Sequence, residues 1–69
     1  MKIKVTYNLY IIRKRKELTI RELESMSGVS KSEINYIENN KTNATVENIC
    51  KIAIALGVKP EDLYSYECL

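Results

Sequence analysis

The spacing of apolar residues changes several times along this 69-residue chain. Lys2-Ile3-Lys4-Val5-Thr6-Tyr7 alternates polar and apolar, the pattern of a short strand or an extended arm. A single strand finds no partner in such a monomer, so residues 1–7 should pair with another copy or stay loose. From Asn8 the period lengthens: Leu9, Ile12 and Lys16 lie three and four apart, with Asn8 in the N-cap position and an end near Glu17. Thr19 and Glu22 have capping-box spacing, and Leu18 stands at the staple position against Leu23. A second helix is therefore expected over Ile20–Ser27, burying Leu23, Met26 and part of Ile20. Gly28 follows where a helix end favours positive φ.

Val29 plugs the core, and Ser30 with Glu33 repeats the capping-box spacing. A third helix runs from about Ser30 to Asn39, with Ile34 and Ile37 facing inward. Two helices of about eight residues, joined by a short glycine-containing turn, form a helix-turn-helix arrangement. Residues 39–43 make a turn, with Asn40 suited to the left-handed conformation that ends a helix. Thr45 caps a fourth helix, whose buried stripe is Val46, Ile49, Cys50, Ala53 and Leu56, flanked by Ile52 and Ile54. Gly57 closes it. Pro60 suits the first position of a short fifth helix, anchored by Leu63 and Tyr64. The expected architecture is all-α with five helices: an arm at 1–7, a domain at 8–64 and a tail at 65–69.

Charge adds direction. Residues 1–44 hold nine Lys/Arg against five Glu, whereas residues 45–69 hold two Lys against three Glu and one Asp. A basic front and an acidic back are expected of a protein that meets a polyanion on one face. Arg13-Lys14-Arg15-Lys16 lies in the last turn of the first helix. There Lys14 and Arg15 either oppose the helix dipole as solvated cations or contact phosphate. Cys50 reads as a small buried hydrophobe and Cys68 as a mobile penultimate residue. With no histidine and no CxxC, a zinc site lacks ligands. No cofactor is expected. No signal peptide or membrane span is evident, so a cytoplasmic protein without a membrane partner is the expectation. An enzyme is disfavoured: there is no phosphate-binding glycine loop, and paired carboxylates are not evident.

Two stretches carry a resemblance. Gly28-Val29-Ser30, Ile34, Ile37-Glu38-Asn39-Asn40-Lys41, then Asn48 to Val58 with Asp62-Leu63, resemble the XRE/Cro-type helix-turn-helix family, which includes the small phage repressors. The likeness spans roughly residues 8–64 and implies a compact lambda-repressor-like fold. It implies a structural ion pair between Arg13 and Glu38. It places Ser30, Lys31, Ser32 and Tyr36 at base edges, and Asn35, Asn39, Lys41, Thr42 and Asn43 near the phosphate backbone. Lys31 suits guanine and Ser32 is nearly indifferent, while Tyr36 would touch a thymine methyl or a phosphate. The chain departs from the family pattern at Ile20, usually glutamine, and at Glu24, usually alanine. It also has Asn40 and Ala44 where glycine and proline are favoured.

So few readers gain about 1–3 kcal/mol per good contact, which argues for two half-sites and a homodimer on double-stranded DNA. The dimer surface is expected at the C-terminal region, with the N-terminal arm as the rival. A transcriptional repressor is the leading function. An antitoxin or controller-type module that binds a protein partner is the alternative.

Overall fold

The computed structural model describes residues 1–69. Its elements in order are strand β1 (Ile3–Tyr7), helices α1 (Leu9–Arg15), α2 (Ile20–Ser27), α3 (Lys31–Glu38) and α4 (Val46–Leu56), a 3-10 turn (Pro60–Leu63) and strand β2 (Tyr64–Cys68). Two expectations are therefore corrected: the fold is not strictly all-α, and it has four α-helices rather than five. The residues after Gly57 make one tight 3-10 turn. Lys59 N–H donates to the Asp62 carboxylate at 3.1 Å, and Tyr64 is already extended.

The first strand does have a partner within the chain. β1 pairs antiparallel with β2, from Ile3 opposite Cys68 to Tyr7 opposite Tyr64. Residues 1–7 thus need no second copy, and Cys68 sits in a strand rather than a loose tail. The ribbon is fastened at its base, where Asn8 N–H donates to Leu63 carbonyl at 2.8 Å. Asn8 does not cap α1 with its side chain; its amide donates instead to Asp62 carbonyl at 3.3 Å.

Helix ends follow the side chains that satisfy them. Thr19 and Glu22 form a reciprocal capping box, and the hydroxyls of Ser30 and Thr45 accept from the amides of Glu33 and Asn48. The Ser30 cap is one-sided, because no bond returns from the Glu33 carboxylate. Helix α1 ends at Arg15, short of the expected Glu17, because Glu17 itself takes positive φ (57°). Leu18 N–H then reaches Arg13 carbonyl, and Glu17 N–H reaches Lys14 carbonyl. Asn40 (φ 55°) does the same after α3, where Lys41 and Asn40 amides bond Tyr36 and Ile37 carbonyls.

Leu9, Leu23, Ile34, Ile37, Ile52 and Leu63 are fully buried and form the centre of the core. Along α4 the stripe is Ile49, Ile52, Ala53 and Leu56, the 3–4 spacing of one helix face. Ile52 is thus central rather than flanking, Cys50 is half-buried and Ile54 points outward. Three residues expected inside are exposed, and one of them, Tyr64, lies in β2 rather than anchoring the last turn. Val46 begins α4, and side chains lean toward a helix's N-terminus, so it overhangs the core. Met26 lies on the rim of a two-turn helix whose one fully buried residue is Leu23. No helix is long and apolar enough to cross a membrane.

Candidate DNA-binding surface

The orientation of α3 follows from what holds its inner side. Ile34 and Ile37 have no exposed surface, which turns Lys31, Ser32, Asn35, Tyr36 and Asn39 outward together. Tyr36 is half exposed, at 51%. At the far end, Glu38 grips Arg13 of α1 through two bonds, Nε to Oε2 at 2.5 Å and Nη2 to Oε1 at 3.0 Å. Arg13 Nη1 donates to Leu18 carbonyl at 2.7 Å, and the Tyr10 ring lies 5.5 Å from the guanidinium. The bond to Glu38 holds the Arg13 guanidinium above its ordinary pKa, against the opposing effect of burial. The pair fixes α3 on α1.

The start of α3 is fixed by a residue whose role is not apparent from the sequence. Glu24 of α2 accepts from the backbone amide of Lys31 at 2.7 Å. The carboxylate at this position neither crowds the helix contact nor points away into solvent. It latches α2 onto the first turn of α3, where a helix N-terminus favours negative charge. With Ser30 Oγ taking the Glu33 amide, two first-turn donors of α3 are already satisfied within the protein. The N-terminus of α2 is likewise occupied. Thr19 N–H donates to the Glu22 carboxylate at 3.0 Å, and this holds Glu22 below its ordinary value of 4.5.

The remaining candidates fall in two places. Lys41, Thr42 and Asn43 lie on the loop after α3, Lys41 and Asn43 exposed and Thr42 half-buried. Asn39 folds back on its own helix, donating to Asn35 carbonyl at 2.8 Å and to the Asn35 side-chain oxygen at 3.2 Å. Lys14 and Arg15 are exposed in the last turn of α1. Arg15 borders a shallow open depression with Lys16, Asn8 and Asp62.

The loop is held by Tyr7, a residue outside the helix-turn-helix. Tyr7 N–H donates to the Asn40 side-chain oxygen at 2.9 Å, and its phenol oxygen accepts from Ala44 N–H at 2.9 Å. The last residue of β1 therefore clamps both ends of the segment carrying Lys41, Thr42 and Asn43. No local pattern signals a bond that spans more than thirty positions.

Comparison with known proteins agrees with this geometry. The Helix-turn-helix family model matches residues 9–63. The restriction-modification controller protein C.AhdI from Aeromonas hydrophila is 31% identical, with a TM-score of 0.75, covering 78% of this chain and 82% of that one. Two more distant structures share the fold. One is a Bacteroides fragilis protein solved as a candidate DNA-binding protein, at 24% identity and TM-score 0.79, covering 88% of this chain and 98% of that one. The other is the transcriptional regulator VanUg, at 20% identity and TM-score 0.78, covering all of this chain and 92% of that one. No curated protein matches the chain. With α2, the Gly28 turn and α3 in the expected register, the chain belongs to the XRE-type helix-turn-helix family of DNA-binding transcription regulators.

Proposed function

We propose that this protein is a sequence-specific repressor that occupies a near-palindromic operator as a homodimer, in the cytoplasm. The observation that carries the reading is the outward row on α3. Lys31, Ser32 and Tyr36 are exposed together on a helix locked from behind by Ile34, Ile37 and the Arg13–Glu38 pair. Lys31 in the first turn donates to guanine O6 or N7, Ser30 and Ser32 contact neighbouring groups, and Tyr36 meets a thymine methyl or a phosphate. Asn35, Asn39, Lys41, Thr42, Asn43, Lys14 and Arg15 meet the phosphate backbone. The protein acts by binding, not by catalysis.

Salt-titrated binding to operator and random duplexes tests these roles. Lys31→Ala should cut the preference for operator over random DNA, by about 1–3 kcal/mol if its contact is bidentate. Lys41→Ala should weaken both duplexes alike and lower the salt slope by about one. Equal behaviour of the two variants would undo the division of labour. Absence of duplex binding even at low salt would sink the DNA reading. Selection of bound genomic fragments would then supply half-site sequence and spacing.

The 31% identity to C.AhdI supports a second reading, a controller-type or antitoxin module with the same fold that also meets a protein partner.

A further inference from the structure

The terminal ribbon has two unlike faces. Residues opposite one another in the register share a face, and alternate pairs share the same face. Ile3 with Cys68, Val5 with Tyr66 and Tyr7 with Tyr64 make one side apolar, whereas Lys4 with Glu67 and Thr6 with Ser65 make the other polar. The apolar side runs into a groove of about 230 Å³ walled by Val5, Tyr64, Ala44, Val46, Ile49 and Pro60. The chain covers only the base of this surface, where Tyr7 packs against the core and Val5 is half-buried; Val46 is 79% exposed, Tyr66 71%, Ile3 47% and Tyr64 39%.

We propose that this face, built jointly from the two terminal strands and the start of α4, is where a second copy of the chain docks. The inference deepens the homodimer reading above and rests on it. Three observations favour a second copy over another occupant. The side chains of the face and groove carry no carboxylate, ammonium or guanidinium, so laying the face against itself across a two-fold axis brings no like charges together. The uncovered side chains offer on the order of 500 Å² per copy, so a pair buries roughly the 1,000 Å² at which specific interfaces begin. A lone two-stranded ribbon is marginal in water, and a second apolar layer is what such a ribbon lacks. The face also adjoins the loop of Lys41, Thr42 and Asn43 through Ala44 and Val46. A second copy seated here stands beside the first copy's phosphate-binding loop.

Sedimentation velocity of the full chain, from low micromolar to near-millimolar concentration, tests the proposal. The unmodified chain should pass from monomer to dimer. Tyr66→Glu and Val46→Glu should each raise the dimer dissociation constant about tenfold or more, whereas Ser65→Glu, on the opposite face of the same strand, should leave it unchanged. Far-UV circular dichroism should be the same for all four. A chain that stays monomeric throughout overturns the proposal, as does a dimer indifferent to Tyr66→Glu and Val46→Glu. So does equal disruption by Ser65→Glu, which would mean loss of the ribbon rather than of a face. Binding to a single half-site duplex separates this from the parent reading. A monomer that still binds the half-site overturns only the docking face. A dimer that binds no DNA overturns only the DNA reading.

Discussion

The helix-turn-helix and the terminal ribbon are stabilised over opposite ranges of sequence. The Thr19 and Ser30 hydroxyls accept from the amides of Glu22 and Glu33, three positions away, and the Glu24–Lys31 latch spans seven. The ribbon joins Ile3 to Cys68, and its base residue Tyr7 reaches Asn40 and Ala44. The first region also buries Leu23, Val29, Ile34 and Ile37, whereas every residue of β2 is exposed. A short segment can thus specify α2 and α3 almost alone, but the loop that follows them takes its shape from a strand at the other end of the sequence. Helix α3 and the loop of Lys41, Thr42 and Asn43 are neighbours with different guarantors.

The comparison breaks most severely at Arg13–Glu38, the long-range tie on an otherwise locally specified α3. Glu38→Ala leaves a buried guanidinium unpaired and should cost about 3–5 kcal/mol, a large part of the stability of a domain this small. Urea unfolding would read the loss. A change below 1 kcal/mol would mean that α3 is held by its isoleucines alone.

Tyr7→Phe tests the other guarantor, and a smaller effect is expected. Removing the acceptor for Ala44 N–H should cost about 0.5–1.5 kcal/mol. Because only the loop is loosened, binding to operator and random duplexes should weaken in the same proportion. A selective loss of operator binding would place the disturbance in α3 instead.

Smaller still is Glu17→Gly, which relieves a non-glycine residue at φ 57°. The left-handed conformation costs a side chain about 1–2 kcal/mol. Glycine's extra chain entropy takes back about 0.5–1 kcal/mol. A rise of several tenths of a kcal/mol up to about 1 kcal/mol in unfolding free energy is expected. A fall would show that the Glu17 side chain makes a contribution its backbone conceals.

The slightest effect concerns pH. Glu22 is held below its ordinary value of 4.5 by the Thr19 backbone amide, then by the Thr19 side chain. A carboxyl lowered in the folded state contributes stability above its unfolded value and loses it as pH falls through the folded one. Unfolding profiles of the unmodified chain should therefore decline below about pH 4.5 slightly more steeply than those of Glu22→Gln. Parallel profiles would remove the capping box from the acid response.

Local bonds were legible in the sequence and distant ones were not. Gly28, Asn40 and Gly57 all take positive φ, because helix ends close on the residue itself. The exposure of Lys31, Ser32 and Tyr36 follows from Ile34 and Ile37 lying inside. The alternation in residues 2–7 was legible too, but its partner was hidden. Ser65 to Leu69 resembles a tail until the Asn8–Leu63 bond sets the two strands side by side. Val46 was misplaced for a related reason. Its spacing matches the buried stripe, but periodicity does not say where the core ends along a helix axis. Glu24 stands where the family favours alanine, and only the position of the Lys31 amide reveals its use.

Pairing Ile3 with Cys68 also imposes an order in time. Helices α2 and α3 can form and dock as soon as their own residues are available, whereas contacts of high sequence separation are slow to form. The Tyr7–Ala44 bond spans 37 positions and the Ile3–Cys68 pair nearly the whole chain, so both are expected to form after the short-range caps. A folding chain is therefore expected to acquire α3 before the loop of Lys41, Thr42 and Asn43 takes its settled form. During that interval it carries two unpaired, alternating strands, the moment at which exchange of strands between copies is easiest.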